Sequence, residues 1–394
     1  MKPIRLVSYT MTSCLGRGLE PARAALRAGT TGLAPCRFET VALDTFAGEI
    51  VGLDEQAIPA ALARFDCRNN RAAELGLVQD GFADEVARVA AQVGPGRVGT
   101  FMGTSTAGIL QTELAYRRRG PQGELPADFH YRTTHNTFSI AEYVRERLGL
   151  AGPCAAISTA CSSSAKAFAT AARLIEAGVI EAAVVGGVDT FCLTTLYGFN
   201  SLQLLSPEPC RPYDAARVGI SIGEAAAFCL LEKADGAGGD SIHLLGTGES
   251  CDAHHMSVPH PEGLGARLAM EAALASAGIG PGDIHYVNLH GTGTPANDAA
   301  EDHAVVGLLG ERVPVSSTKG MTGHTLGAAG AIEALIAVMA LQEEFIPGSP
   351  GTRAVDPKLR ANYQLAGRAA PLGRALSNSF GFGGSNCSLV FGRA

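Results

Sequence analysis

The 394-residue chain combines 46% hydrophobic with only 18% charged residues and carries a net charge of −7 at neutral pH. Such a chain can bury a large core, so disorder is not expected, and it should form two domains or two fused halves. The negative charge, the 6% of aromatic residues and the lack of tryptophan argue against a nucleic-acid-binding surface.

The cysteines and the apolar runs indicate the cellular compartment of the protein. Ten cysteines are scattered without paired spacing, which favours reduced thiols in a cytoplasmic protein over disulfides or a zinc site. The N-terminal residues lack an apolar run long enough for a signal peptide. Residues 179–199 are the nearest candidate for a membrane span, but Glu181, Asp189 and three glycines interrupt them. We expect a buried strand and a loop there.

Short β-like runs alternate with alanine-rich helical runs along the chain. Residues 98–103, 182–187 and 284–291 have the composition of buried strands, whereas residues 162–178 have that of an amphipathic helix. This alternation predicts an α/β fold. The glycine-rich stretch 234–241 predicts a linker between a first half, residues 1–240, and a second half, residues 241–394.

Two sequence patterns recur in the same order in both halves. The first is GTST at 103–106, which resembles GTGT at 291–294. The second is a short strand that ends in Ser-Thr, at 158–159 and at 317–318, followed by a turn of small residues and an alanine-rich helix. The recurrence predicts a duplicated architecture. The longer spacing in the first half predicts an insertion that caps a pocket or builds a subunit interface.

Cys161 lies in the small-residue stretch ISTACSSSAK, residues 157–166. For an arbitrary cysteine, packing is the ordinary explanation. Here an apolar strand precedes it, and Phe168, Ala172 and Ile175 share one face of the helix that follows. Cys161 is therefore expected at a strand-to-helix turn, where the helix dipole and unpaired N–H groups would lower the thiol pKa.

Two histidines are the candidate partners of this thiol. His290 ends an apolar run and begins the turn HGTGT, at the carboxyl end of a strand, where α/β proteins bind ligands. His324 lies in STKGMTGHTLGAAG, the second-half counterpart of the Cys161 turn, so a pseudo-twofold axis would bring the two turns together. Each histidine alone is more simply a turn residue. Three signals at equivalent strand ends predict a Cys-His-His site.

Five motifs in a fixed order resemble the elongating β-ketoacyl-acyl carrier protein synthases of the thiolase-like superfamily. They span nearly the whole chain: STACSSS around Cys161, RPYDAARVGISIGEAAAF at 211–228, HGTGTPANDAAE at 290–301, SSTKGMTGHTLGAAGAIE at 316–333 and SNSFGFGGSN at 377–386. The resemblance implies a thiolase-like α/β fold whose two pseudo-duplicated halves form an α-β-α-β-α core. It also implies decarboxylative Claisen condensation of an acyl chain with malonyl carrier protein.

The resemblance assigns the catalytic roles. Cys161 would accept the acyl chain, and His290 and His324 would complete a Cys-His-His set. Lys319 would hold the hydrogen-bond network and the charge of the site, and Glu333 would be the buried glutamate of that network. The resemblance implies no metal and no cofactor, because the substrates travel on the 4′-phosphopantetheine of an acyl carrier protein.

The resemblance also assigns substrate contacts. Thr292 and Thr294 would hydrogen-bond the pantetheine arm. Phe382 would be a gating aromatic whose backbone N–H, with that of Cys161, forms the oxyanion hole. Thr106 falls on the floor of the acyl pocket, where many relatives have a larger apolar residue or glycine, so an unsaturated or unusual acyl chain is a further hypothesis.

Other reactions stay open at this point. Chain-initiating synthases use a Cys-His-Asn set, and thiolases use a second cysteine near the C-terminus; Cys387 occupies such a region, but we expect it to be buried filling. A plain acyltransferase and a non-catalytic partner subunit are the remaining classes. A further alternative is a ketosynthase subunit of a heterodimer in a specialised polyene or polyketide pathway.

The resemblance and the net charge of the chain predict its binding partners. An acyl carrier protein is acidic, so a chain at −7 would bind it through a local basic patch. Gln203 stands where the family often has a basic residue. We expect a homodimer, or a heterodimer with a ketosynthase-like subunit. The candidate docking residues are Arg64, Arg68, Arg71, Arg117, Arg118 and Arg119.

Overall fold

A computed structural model describes residues 1–234 and 241–393. Within these residues the chain forms a twelve-stranded mixed sheet with helices on both faces, as the α/β prediction requires. The predicted linker at 234–241, and with it the boundary after residue 240, lies almost wholly outside the described residues.

Strands and α-helices are numbered in chain order over the described residues. The strands are β1 (Ile4–Ser13), β2 (Gly16–Arg17), β3 (Ala34–Pro35), β4 (Phe46–Gly48), β5 (Val98–Gly103), β6 (Cys154–Ile157), β7 (Ala182–Asp189), β8 (Ile222–Gly223), β9 (Ala225–Lys233), β10 (Ile242–Cys251), β11 (Tyr286–Asn288), β12 (Pro314–Ser316), β13 (Phe345–Ile346), β14 (Asn362–Tyr363), β15 (Arg368–Ala369), β16 (Arg374–Gly381) and β17 (Ser385–Arg393). The helices are α1 (Leu19–Ala28), α2 (Arg68–Leu77), α3 (Phe82–Val93), α4 (Ile109–Arg117), α5 (Phe138–Arg147), α6 (Ser163–Glu176), α7 (Leu193–Ser201), α8 (Leu264–Ala277), α9 (Pro295–Leu309), α10 (Lys319–Thr322) and α11 (Ala329–Glu343).

The two halves of the sheet repeat one strand order. The first half runs β6-β5-β7-β9-β1 and the second half runs β12-β11-β16-β17-β10. In each half, the first three of these strands are parallel, and the next strand, the last along the chain, is antiparallel to both of its neighbours. An antiparallel pairing of β1 with β10 joins the halves. The predicted duplication is confirmed.

The helices complete the layered core. Helices α6 and α11 lie between the two halves of the sheet and contact strands of both. Helices α2, α3 and α5 pack on the outer face of the first half, and α8 and α9 pack on the outer face of the second. This is the expected α-β-α-β-α arrangement. It places the N-terminal ends of α6 and α11, which follow equivalent strands, side by side in the middle layer.

The two central helices touch closely at a glycine. A Cβ added at Gly330 would lie 2.6 Å from the backbone nitrogen of Ala165. A real Cβ does not approach that closely, so glycine lets α11 pack on α6 at this level. The alanine-rich sequences of both helices therefore have a packing reason.

Helix α11 is apolar on all sides because it is surrounded by the fold. Leu326–Glu343, which contains it, is the one stretch among the described residues that is long and apolar enough to cross a membrane. Since 89% of that stretch is buried inside the fold, its apolar character is that of a core helix.

Residues 179–199 contain the expected buried strand, β7, but the expected loop is partly helix α7. The carboxylate of Glu113 accepts hydrogen bonds from the backbone N–H groups of Leu193 and Thr194 at 2.9 and 2.7 Å. This satisfies the first turn of α7 from a residue that is distant in the chain. Local sequence could not show that cap.

Candidate active site

Cys161 lies at the predicted turn between β6 and α6, and it is 6% exposed. The preceding residue, Ala160, has a φ of +53°, in the left-handed region. The hydroxyl of Ser163 accepts from the Thr159 N–H at 2.9 Å and donates to the Ala160 carbonyl, while Ser162 donates to the Thr159 carbonyl at 2.9 Å. The serines therefore hold a strained turn that aims Cys161 away from the strand.

The fold brings Cys161, His290 and His324 together. Ligand atoms of the three side chains lie within 4.8 Å of one another, and all three residues are buried. The two imidazole rings are 5.2 Å apart and nearly perpendicular, at 85°. His290 follows β11, and His324 follows α10 in the turn that corresponds to the Cys161 turn. The pseudo-twofold arrangement thus assembles residues of both halves.

Hydrogen bonds assign one tautomer to both histidines. The Lys319 ammonium lies 3.3 Å from His290 Nδ1, and the Leu326 backbone N–H donates to His324 Nδ1 at 3.2 Å. A lysine ammonium and a backbone N–H can only donate hydrogen bonds, so both Nδ1 atoms are acceptors. The remaining proton of each ring is therefore on Nε2. Leu326 adopts a φ of +54°, which lies in the same left-handed region as that of Ala160.

Burial governs the charge states of the three groups. It lowers the pKa of His290 and of His324 well below the usual value, and the Lys319 charge lowers both further, so both rings are neutral. Burial also raises the pKa of Cys161 to about 11, although Lys319 and a hydrogen bond from the Phe382 N–H oppose it. The expectation of a lowered thiol pKa is wrong, because desolvation outweighs the Lys319 charge and the interaction with the Phe382 backbone.

Lys319 and Glu333 form a buried pair behind His290. Lys319 is 1% exposed, and its ammonium donates to the Glu333 carboxylate and to the His290 backbone carbonyl. Burial raises the pKa of Glu333 to about 7, and Lys319 opposes that rise. The second carboxylate oxygen of Glu333 is buried and has no hydrogen-bond partner among the described residues. Lys319 thus connects this carboxylate to the His290 ring.

A cavity of about 250 Å³ reaches the three central residues from the surface. Thr292, which is buried, and Thr294, which is half-buried, line it, and their hydroxyls are 2.9 Å apart. The apolar side chains that line it include Phe199, Leu204, Ile220, Val258, Phe380 and Phe382, and the other polar ones outside the catalytic group are Asp252, His255, Ser257, Asn297 and Asn386. Among the described lining residues none is a lysine or an arginine. The cavity fits a neutral, elongated substrate arm with an apolar group.

Phe382 lies at this cavity in the turn between β16 and β17. Its ring is 36% exposed and lies 5.7 Å from that of Phe199. Gly383, with a φ of +81°, follows it. An interaction with the backbone of Phe382 lowers the pKa of the Cys161 thiol, so this backbone group lies near the sulfur, where a thioester carbonyl would meet the thiol.

Asp189, at the end of β7, supports the site although the sequence did not single it out for this. Its fully buried carboxylate accepts from the N–H groups of Ser105, Thr106 and Gly327 at 2.6–2.9 Å, and from the hydroxyls of Thr104 and Thr106. Gly327 directly follows the residue that donates to His324, so one carboxylate joins the two halves of the site. The sequence around Asp189 does not show these five hydrogen-bond donors.

The structure shows the hydrogen bonds of Thr106, while its place on the floor of the acyl pocket stays a prediction. Its hydroxyl donates to Asp189 at 2.8 Å and accepts from the Thr190 N–H at 3.3 Å. Thr106 is not among the described residues that line the cavity. Its polarity therefore serves the buried aspartate, and it makes no polar floor in the cavity that the structure shows.

Glu301 is a second buried carboxylate that the motifs contained but the sequence reasoning did not use. It accepts from the backbone N–H groups of His290 and Gly291 at 2.8 and 2.7 Å, and from the Asn378 amide at 3.2 Å. Burial raises its pKa to about 7. The signal was an acidic residue on the helix that follows the HGTGT turn. Glu301 holds the backbone that presents the His290 ring.

The central residues are also the one group of three or more His, Cys, Asp or Glu side chains, within the described chain, that could hold a metal ion. A metal would need the lone pairs of both Nε2 atoms, yet hydrogen bonds to both Nδ1 atoms keep the protons on Nε2. The Lys319 charge opposes a cation as well. All ten cysteines are free, and Cys387 is fully buried in β17, as expected of filling.

Arg68 is a wrong choice as a docking residue. It is 4% exposed, and its guanidinium donates to the buried Glu224 carboxylate at 2.7 and 2.9 Å and also pairs with Asp54. Glu224 has no solvent exposure, so it needs this cation as a partner. The spacing that grouped Arg68 with the exposed Arg64 and the half-buried Arg71 does not show which side of the helix is covered by the fold.

Four of the other docking candidates lie in ion pairs at the surface. The pairs are Arg64 with Glu146, Arg71 with Asp66, Arg117 with Glu39 and Arg118 with Asp128. The guanidinium of Arg119 lies 5.1 Å from the ring centre of Tyr116. Exposed pairs are weak and can exchange partners. Their carboxylates nevertheless reduce the positive potential that an acidic partner would meet.

Comparison with known proteins agrees with this geometry. Residues 1–237 match the family described as "Beta-ketoacyl synthase, N-terminal domain", and residues 242–353 match "Beta-ketoacyl synthase, C-terminal domain". The chain is 36% identical to 3-oxoacyl-[acyl-carrier-protein] synthase 2 of Vibrio cholerae, with 97% of each chain covered.

Solved structures show the same similarity. The chain is 36% identical, with a TM-score of 0.91, to a chain in the complex of the ketosynthase ApeO with its chain length factor ApeC from Xenorhabdus doucetiae; 100% of this chain and 98% of that chain are covered. A β-ketoacyl synthase from Burkholderia phymatum is 29% identical, with a TM-score of 0.89 and 100% of both chains covered. The chain therefore belongs to the β-ketoacyl synthase family.

Proposed function

We propose that Cys161, His290 and His324 carry the decarboxylative condensation that this β-ketoacyl-acyl carrier protein synthase catalyses. One observation carries the assignment: two neutral imidazoles, both protonated on Nε2, lie beside a buried thiol at the end of an apolar cavity. Simple acyl transfer needs one thiol and an oxyanion hole. A pair of neutral N–H donors suits the enolate that forms when a malonyl thioester loses its carboxylate.

In the first half-reaction the Cys161 sulfur attacks the thioester carbonyl of the acyl carrier protein. The tetrahedral intermediate places its negative oxygen near the backbone N–H of Phe382, whose interaction with the thiol lowers the pKa of Cys161. The carrier leaves as a free thiol that takes up the proton, and the acyl chain stays on Cys161. Removing the thiol proton at neutral pH is the difficult part of this step, because burial raises the pKa of Cys161.

In the second half-reaction a malonyl thioester enters along Thr292 and Thr294. Its carbonyl oxygen accepts from the Nε2–H groups of His290 and His324. Loss of carbon dioxide leaves the electron pair of the broken C–C bond as an enolate held by these donors. The enolate carbon attacks the acyl carbonyl on Cys161, and the C–S bond breaks. Cys161 leaves as a thiolate that takes up a proton from solvent, and the β-ketoacyl product is two carbons longer.

The alternatives receive less support. A thiolase needs a second reactive cysteine, but Cys387 is fully buried within the sheet. A plain acyltransferase does not need the two imidazole N–H donors. A non-catalytic partner subunit does not need the Cys-His-His set or the Lys319–Glu333 pair behind it.

The partners are proposed as an acyl carrier protein and a second ketosynthase-type subunit, in the cytoplasm. Strand β6 is an outermost strand of the sheet in the described chain, so its outer edge is available for pairing. We expect a homodimer. The similarity to a chain of the ApeO–ApeC complex supports the heterodimer of a specialised polyene or polyketide pathway as the second candidate. Native mass spectrometry of the purified chain, alone and with a co-expressed ketosynthase-like subunit, separates the two.

Intact-protein mass spectrometry tests the proposed chemistry. The protein is incubated with acyl carrier protein that bears an acyl chain, and then with malonyl carrier protein. We expect acylation of Cys161, its loss on adding malonyl carrier protein, and a β-ketoacyl carrier protein two carbons longer. Cys161→Ala is the control for the acylated residue. Labelling without elongation would indicate an acyltransferase, and no labelling would favour a non-catalytic partner subunit.

A further inference from the structure

Glu224 lies between β8 and β9, is fully buried, and accepts hydrogen bonds on both carboxylate oxygens. One oxygen accepts from Arg68 Nε at 2.7 Å and from the Phe191 backbone N–H at 2.9 Å. The other oxygen accepts from Arg68 Nη2 at 2.9 Å and from the Ile50 backbone N–H at 3.0 Å. The carboxylate therefore joins three segments that are far apart in the chain to the end of β8.

Residues 221–224, which we name the clamp segment, hold the His324 backbone on both sides. The His324 N–H donates to the Ser221 carbonyl at 2.7 Å, and the Gly223 N–H donates to the His324 carbonyl at 3.0 Å. A Cβ added at Gly223 would lie 2.1 Å from the Thr322 carbonyl oxygen, so the two backbones touch directly. A displacement of the clamp segment is therefore transmitted to His324.

The other edge of the clamp segment pairs with β4. Gly48 pairs with Gly223 in parallel register, and the Glu224 N–H donates to the Gly48 carbonyl at 2.8 Å. The small sheet β3-β4-β8 has strands of only two or three residues. Strands this short are marginally stable by themselves, so side-chain contacts are needed to fix the clamp segment against His324.

The buried ion pair of Arg68 with Glu224 is not explained by stability alone. Taking both charges out of water offsets most of their attraction, so apolar residues of similar volume often stabilise a fold equally well. Glu301 shows what a buried carboxylate does elsewhere in this site, because it accepts from the His290 N–H at 2.8 Å and holds that backbone. Glu224 has the corresponding place for His324, one segment further away.

We propose that Arg68 and Glu224 are a positioning pair that sets the His324 imidazole for decarboxylation. The proposal rests on the function proposed above. Neither side chain is among the described residues that line the catalytic cavity, so the pair acts through the clamp segment. A small displacement matters because an oxyanion donor has to lie about 2.7–3.1 Å from the oxygen that becomes charged. Acyl transfer to Cys161 does not use His324 in this mechanism and should respond less.

Glu224→Gln tests the proposal by kinetics. The variant keeps the shape of the side chain, but an amide nitrogen cannot accept, so one oxygen's contacts with Arg68 and with a backbone N–H are lost. We expect release of carbon dioxide from malonyl carrier protein to fall about tenfold or more, with the cost of losing one oxyanion donor, about 10²–10³, as the limit. Burst acylation of Cys161 by a short acyl chain should change little. A short chain is used because Ile220, next to the clamp segment, lines the cavity.

Arg68→Lys is the second variant. It keeps the positive charge, but an ammonium lacks the planar fork that reaches both oxygens of Glu224. We expect a smaller loss of decarboxylation in the same direction, with acylation again nearly unchanged. If Glu224→Gln does not fold, Arg68→Lys decides the outcome.

NMR of protein labelled with ¹⁵N-histidine reports the imidazoles directly. In both variants the ring signals of His324 should shift, whereas those of His290, which Glu301 holds, should stay at their wild-type positions. A loss of stability alone would not move the signals of one imidazole and leave those of the other.

Glu74→Gln is the matched control. Glu74 lies on α2, the same helix as Arg68, and is 4% exposed. It accepts from Arg147 Nε and Nη2, both at 2.9 Å, and from the Tyr143 hydroxyl. The control therefore breaks a buried Glu–Arg pair that is not bonded to the clamp segment. It should lower Tm but leave both half-reactions and both sets of histidine signals unchanged.

An equal fall of decarboxylation and acylation in the folded variants would overturn the proposal, because the pair would then act on the whole site. Unchanged decarboxylation would overturn it as well, and so would the same selective loss in Glu74→Gln. Failure of the proposed function looks different: the wild type itself would neither become acylated on Cys161 nor release carbon dioxide from malonyl carrier protein.

Discussion

Replacing Lys319 by methionine tests how the structure controls the His290 tautomer. The substitution keeps a side chain of similar length but removes the ammonium that contacts His290 Nδ1, the His290 carbonyl and the Glu333 carboxylate. The His290 proton is then free to move to Nδ1. In that tautomer Nε2 is a lone pair that faces the enolate oxygen and no longer donates to it.

The expected loss of decarboxylation rate follows from the number of N–H donors that remain for the enolate oxygen. Removing one of the oxyanion donors costs about 10²–10³ in rate, and this is the upper limit because part of the His290 population keeps its proton on Nε2. Acyl transfer to Cys161 should fall less, since its oxyanion meets the backbone N–H of Phe382. The two half-reactions should therefore separate.

Stability should also become more sensitive to pH. Burial already raises the pKa of Glu333 to about 7 in the presence of Lys319, and removing the cation raises it further. A carboxyl whose pKa is raised by folding favours the folded state less as pH rises from the unfolded pKa towards the folded one. The Tm difference between Lys319→Met and the wild type should therefore be small near pH 6 and grow towards pH 9. Breaking a buried pair costs about 3–5 kcal/mol when the remaining charge stays ionised.

The assay compares release of carbon dioxide from malonyl carrier protein with burst acylation of Cys161. The double variant Lys319→Met with Glu333→Gln is the control, because it removes the unpaired carboxylate and should recover stability without recovering decarboxylation. If decarboxylation and acylation fall by the same factor, or if the double variant recovers both, the tautomer argument is refuted and Lys319 acts through stability alone.

Three further predictions concern the thiol, the shared carboxylate and the central packing. Alkylation of free Cys161 by iodoacetamide should accelerate about tenfold per pH unit above pH 7 without levelling off before about pH 10, because burial raises its pKa to about 11; a plateau near neutrality would contradict this. Asp189→Asn should slow both half-reactions and lower Tm, because an amide cannot accept from all the N–H groups that face Asp189. Unchanged kinetics would contradict the proposal that Asp189 links the two halves of the site. Gly330→Ala should cost about 1–3 kcal/mol in urea unfolding, since its Cβ would meet the Ala165 nitrogen at 2.6 Å; a neutral result would mean that the helices can separate.

The fold class, the duplication and the three central residues could all be predicted from the sequence. Strand and helix periodicity is local, and two copies of one pattern predict two copies of one structure. Because the strand order repeats, Cys161 and His324 fall at equivalent turns, and the motifs alone predict that these turns meet. The same motifs carried the resemblance on which the roles of Lys319 and Glu333 depended.

The charge states of the buried groups and the exposure of the arginines depend on the assembled fold. Local sequence predicts a lowered pKa for Cys161 at a helix N-terminus, but the pKa depends on how much of the fold covers the thiol, and that burial reverses its direction. Arg68 has the spacing of a surface residue, yet the buried Glu224 draws its guanidinium inward. The hydrogen-bond donors to Asp189 come from segments that are far apart in the chain. Burial and long-range partners are properties of the assembled core, so no window of sequence contains them.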